Sequence, residues 1–162
     1  MLLAVLSVNE RRTLIEVKPM KKFLAVAAVS LSTMFGAAAN AQDLSAQLAD
    51  LSATCTAAPA DCEAATLALM EALRASGLPE DQINAGIGAI VATVVNVANS
   101  LPAAQKQQLA GAVALASNPS VGFVGNSPAV LAQIEAANNI TGALQSGGNV
   151  DTNVISQLGS GN

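Results

Sequence analysis

The chain has 162 residues, of which 52% are apolar and 2% aromatic, with no histidine and a formal net charge of −4. That is material for one domain whose core must come from Ala, Leu, Val and Ile. It lacks the residue most used for proton transfer at neutral pH and for zinc binding, and it lacks the basic excess that neutralises nucleic-acid phosphates.

The first segment, Met1 to Pro19, contains Arg11-Arg12. A twin-arginine export motif would place its apolar core close behind that pair, whereas here the core begins eleven residues after Arg12, beyond Glu16 and Lys18. Residues 1–19 are therefore expected to be an over-extended start, with translation beginning at Met20.

From Met20 the chain reads as a bacterial Sec-type secretory signal. Lys21 and Lys22 supply the positive end, Phe23 to Phe35 a 13-residue apolar core, and Ala39-Asn40-Ala41 a small-x-small cleavage site. A core of that length falls short of the roughly 20 residues needed to span a bilayer. No cysteine follows the site directly, which argues against a lipid anchor. Cleavage is expected between Ala41 and Gln42, releasing residues 42–162 into the periplasm or the medium. The mature chain then holds two bases, Arg74 and Lys106, against nine acids, a net charge of −7. Anionic membrane surfaces would repel it, and nucleic acid is excluded as a partner.

Leu44, Leu48 and Leu51 are spaced for a short amphipathic helix over 42–54. Cys55 and Cys62 follow, the only two cysteines, around a connector containing Pro59. In an oxidising compartment such a pair reads as a disulfide. A loop this short is worth roughly 2–3 kcal/mol on chain-entropy grounds. A redox-active pair would favour C-x-x-C and nearby positive charge, whereas Asp61 and Glu63 flank Cys62.

A second helix is expected from Asp61 to Ser76, with Asp61 as N-cap, Gly77 ending it, and Leu67, Leu69, Met70 and Leu73 inward. Pro79-Glu80-Asp81 then opens a third helix, its acids favourably placed at the positive end of the helix dipole. It runs to about Asn99 through Ile83, Ile87, Ile90, Val91, Val94, Val95 and Val97. β-Branched residues would also suit a strand, but the length and both end signals favour a helix, and a central one. Gly86 and Gly88 lie within it and are read as close-packing positions rather than a nucleotide fingerprint, which needs a preceding strand and a third glycine.

Pro102 opens a fourth helix to Ser117, with Leu109, Val113 and Ala116 inward and Lys106 on a solvated polar face. After a Gly-containing loop with Phe123, Ser127 and Pro128 start a fifth, with Val130, Leu131, Ile134, Ala137 and Leu144 inward. Residues 146–162 are rich in Gly, Asn and Ser and are expected to form a flexible, disordered tail. Asp151-Thr152-Asn153 lacks the frame of a calcium loop.

The expected fold is all-α: a small bundle or array of four to five short helices over 42–145, after a cleaved signal peptide. Paired acids at 61/63 and 80/81 are accounted for as helix-start acids, so no catalytic, cofactor or metal residues are assigned, and no enzyme activity is expected. The expected role is a non-catalytic structural or protein-interaction module with a protein partner not named by the sequence. One alternative is a self-assembling or membrane-active export product that uses the third helix or the tail. Another is a carrier of a small apolar ligand.

Overall fold

The computed structural model describes residues 41–159; the expected start region 1–19, the leader up to Asn40 and the last three residues lie outside the described residues. Within them the chain is all-α, with helices α1 (Ala41–Ala57), α2 (Cys62–Ala75), α3 (Glu80–Asn99), α4 (Ala103–Ala114), α5 (Pro128–Gln145) and α6 (Thr152–Gly159). Short 3₁₀ turns, Pro59–Asp61 and Leu115–Ser117, lead into α2 and out of α4.

α3 packs against each of the other five helices. Its sequence explains why: Ile87, Ile90, Val91, Val94 and Val95 are fully buried, leaving few positions for water. Burial of these branched side chains outweighs their modest intrinsic cost in a helix. By length and composition α3 could cross a membrane, yet 61% of its most apolar window is buried inside the domain.

At Gly86 the α2 side chain packs directly on the α3 backbone: a Cβ there would lie 2.5 Å from Leu73 Cδ2 and would force the Leu73 side chain to shift. α2 ends at Gly77, whose φ of +73° is the left-handed conformation that glycine adopts without strain. Asp61 does not cap α2 as expected. It closes the 3₁₀ turn in helical geometry and makes no side-chain cap bond.

Two expectations about buried faces are corrected. Leu131 is 56% exposed. The buried stripe of α5 instead runs through Val130, Gln133, Ala137, Ile140 and Leu144, an alternation of three and four residues that points Leu131 away. Lys106 is not on a solvated face. It is 7% exposed and its Nζ donates to Asn149 Oδ1.

Residues 146–159, expected as a flexible tail, lie against the domain. Gly147, at φ +72°, turns the chain back, and α6 packs on α3 and α5. Val154, Ile155 and Leu158 share one face at i, i+1 and i+4, and Leu158 and the preceding Val150 are buried. Asp151 Oδ1 accepts the Asn153 N–H at 2.8 Å and caps the start of α6. Burying those apolar groups offsets the ordering cost of a Gly- and Asn-rich connection.

Candidate functional site

Two asparagines on α3 use one device to hold non-helical segments. Asn84 Nδ2 donates to Val124 O at 2.9 Å, and Val124 N donates to Asn84 Oδ1 at 2.7 Å. Asn99 does the same with Val150, at 3.2 and 3.0 Å. A side-chain amide carries one donor and one acceptor on the same edge, as a peptide group does. Each asparagine can therefore pair both backbone groups of one residue in a segment that has no ladder of its own.

The Asn84 pairing places the loop after α4. Arg74 Nη1 of α2 donates to Gly122 O at 2.7 Å, Phe123 N donates to Ala116 O at 3.0 Å, and the Phe123 ring is buried. Three anchors from three directions fix a loop whose composition alone suggests freedom.

Between this loop and the starts of α3 and α5 lies a cleft of about 420 Å³. Its buried floor is Asn84, Val130 and Gln133; Val124 and Ala129 form half-buried walls; Glu80, Asp81, Gly125, Asn126 and Ser127 form the exposed rim. Glu80 and Asp81 are the only charged residues lining it. Ser127 Oγ accepts the Val130 N–H at 3.3 Å, and Pro128 has no N–H to offer, so two of the free donors at the start of α5 are accounted for.

Gln133 is the unusual member. It is 2% exposed and sits on the otherwise apolar stripe of α5. Its Nε2 donates to Leu158 O at 2.8 Å, which satisfies a carbonyl at the end of α6. Its Oε1 has no hydrogen-bond partner. A buried carbonyl oxygen left without a donor costs on the order of 1–3 kcal/mol, and this one belongs to a residue that lines a cleft.

The residues singled out in the sequence fall elsewhere. Cys55 and Cys62 form a disulfide with a Cα–Cα distance of 4.5 Å, both buried, joining the end of α1 to the start of α2. Ala41 and Gln42, the expected cleavage junction, are the first two residues of α1. The acids at 80 and 81 do stand in the first turn of a helix. What the sequence does not reveal is that the loop and α5 wall in the space beside them. A glutamine in register with a buried stripe was the available signal for the floor.

Among the described residues no three His, Cys, Asp or Glu side chains come together as a metal site. Comparison of the chain with protein-family models, with curated proteins and with solved structures finds no match.

Proposed function

We propose that the chain is a small exported, non-catalytic protein-interaction module that works in an oxidising compartment, the periplasm or the medium, and engages a protein partner through the cleft at the starts of α3 and α5. The observation that carries this reading is the cleft itself: a preformed concavity with two carboxylates at its mouth and Asn84, Val130 and Gln133 buried beneath. Sites that bind tend to be preformed and to hold a few converging polar groups. The buried disulfide is compatible with the oxidising location.

This reading is favoured over the alternatives by where the relevant residues lie. The apolar residues of the tail, which an assembly function would need exposed, pack on α3 and α5. The apolar face of α3, which a membrane-active function would need, is engaged by the other helices. A carrier of apolar ligands would call for an apolar mouth, and this one bears Glu80 and Asp81.

The test is site-specific photocrosslinking in the cells that export the chain. A photoreactive residue at exposed Asn126 is expected to give a discrete protein adduct, and the same probe at exposed Asp43 on α1 none. Equal adducts at the two sites, or none at Asn126, would refute the cleft as the interaction surface. Fractionation of the same cells, with intact mass measured without reductant, is expected to find the disulfide-bonded chain beginning at Gln42 outside the cytosol.

A further inference from the structure

Lys106 and Asn149 meet across 43 residues of chain. Lys106 is 7% exposed on α4, and its Nζ donates to Asn149 Oδ1, the oxygen of a neutral amide rather than of a carboxylate. We infer that this contact matures into an intramolecular isopeptide bond between Lys106 Nζ and Asn149 Cγ.

Position comes first, because the backbone around Asn149 is held on both sides. Before it, Gly147 N donates to Leu144 O and Gly148 N to Ala143 O, each at 2.9 Å, tying both glycines to the end of α5. A Cβ on Gly147 would lie 2.8 Å from Ala103 Cβ, so this backbone rests directly on α4. Lys106 stands three residues beyond Ala103, on the same side of that helix. After Asn149, Asn99 pairs with both backbone groups of Val150. The amide is thus kept beside Lys106 by bonds that do not involve the lysine. Well-oriented reactants held in this way behave as though at about 10⁵–10⁸ M. A C=O bond is about 1.2 Å long, so an amine in contact with Oδ1 has only a short move to reach Cγ.

The step balances without a co-reactant. The ammonium of Lys106 gives one proton to water, and the freed lone pair adds to Cγ, forming the Nζ–Cγ bond. A proton passes from Nζ to Nδ2, the Cγ–Nδ2 bond breaks, and ammonia leaves. Nothing is oxidised or reduced, and one amide replaces another. Exposure suits each role: the nucleophile is buried, whereas Asn149 is exposed, so water relays the proton and ammonia escapes.

Energetics favour the product. An ammonium held out of water opposite one neutral oxygen recovers only part of its hydration. Turning that amine into an amide nitrogen removes the charge, and the reverse reaction needs ammonia that has diluted away. The bond fastens the approach to α6 onto α4, and it removes chain freedom from the unfolded state as any long-loop crosslink does.

The experiment uses the exported, disulfide-bonded chain, kept folded until its intact mass stops changing. Its mass is expected to fall short of the disulfide-bonded sequence by one ammonia. Arg74 and Lys106 are the only basic residues after Ala41, so trypsin has two cleavage points in the mature chain. After reduction and denaturation, an acylated Lys106 resists trypsin and residues 75–162 should survive as one fragment. Lys106→Arg keeps the charge and a hydrogen-bond donor but removes the nucleophile, and Asn149→Ala removes the acyl carbon. Both variants should lose the mass deficit and yield separate fragments 75–106 and 107–162. In the folded state Lys106→Arg should also exchange the amide hydrogens of α6 faster than the wild-type chain.

A full wild-type mass together with cleavage after Lys106 would overturn the inference. So would a deficit that persists in Lys106→Arg, which would place the lost ammonia elsewhere in the chain. A product in which the Asn149 amide has become a carboxylate would show that water, not Lys106, attacks Cγ, and would overturn it equally.

Discussion

The two ends of α3 are fastened alike and finished differently. Near its start, Asn84 clasps Val124, and the space beyond stays open as a cleft with two carboxylates at its mouth. At its end, Asn99 clasps Val150, and the chain continues at once into α6, which covers α3 and α5. Lys106 and Asn149 pair beside that second clasp. One end is a finished wall and the other an unfinished one. The same backbone-mimicking amide serves both, so the difference lies in the residues that come after each clasp. Beyond Val150 stands a helix with three apolar side chains on one face; beyond Val124 stand Gly125, Asn126 and Ser127.

The most damaging way to break this contrast is to remove the wall. A chain ending at Gly148 loses Val150, Leu158 and the partners of Asn99, Lys106 and Gln133 Nε2. At roughly 1.5–3 kcal/mol for each fully buried aliphatic side chain, the expected loss is about 3–6 kcal/mol in urea unfolding with the disulfide intact. The Gln133 amide resonance should move as well. A truncated chain as stable as the original would show that α6 adds nothing to the core.

A finer cut compares the clasps directly. Asn84→Ala leaves the N–H and C=O of Val124 without partners, and Asn84 is buried whereas Asn99 is half-exposed. The expected costs are about 2–4 kcal/mol for Asn84→Ala and about 1–2 kcal/mol for Asn99→Ala, since water can replace part of what Asn99 supplies. Asn84→Ala should also release the loop, seen as faster amide exchange at Val124 and Phe123. Equal costs for the two substitutions would mean that the open end is no more tightly bound than the closed one.

The parts of this arrangement that are legible in the sequence are those set by local chemistry. The bounds of α3 follow from Pro79 with its acids and from a continuous branched-aliphatic run, and the disulfide follows from an even pair of cysteines. The clasps are not legible, because an asparagine inside a helix pattern looks the same whether it meets water or a backbone 40 residues away. α6 is obscured by composition. Gly147, Gly148 and Asn149 suggest disorder, while the spacing of Val154, Ile155 and Leu158 already marks one face of a helix. Lys106 is misplaced for the same reason, since its partner Asn149 lies in that segment. The cleft is hidden with them, because the burial of Gln133 depends on Leu158 lying over it.

The smallest expected effect probes the open end most specifically. Ser127 Oγ caps α5 at the rim of the cleft. Ser127→Ala frees the Val130 N–H and should cost about 1 kcal/mol, within reach of careful thermal unfolding. Ser127→Asp restores the acceptor and adds a third carboxylate at the mouth, beside a helix start that favours it. Stability should return to the wild-type value. At the closed end, Asn153→Asp, in the first turn of α6, should alter stability by only a few tenths of a kcal/mol. If Ser127→Ala changes stability no more than Asn153→Asp does, the cap at the open end contributes nothing and this distinction between the two ends of α3 is lost.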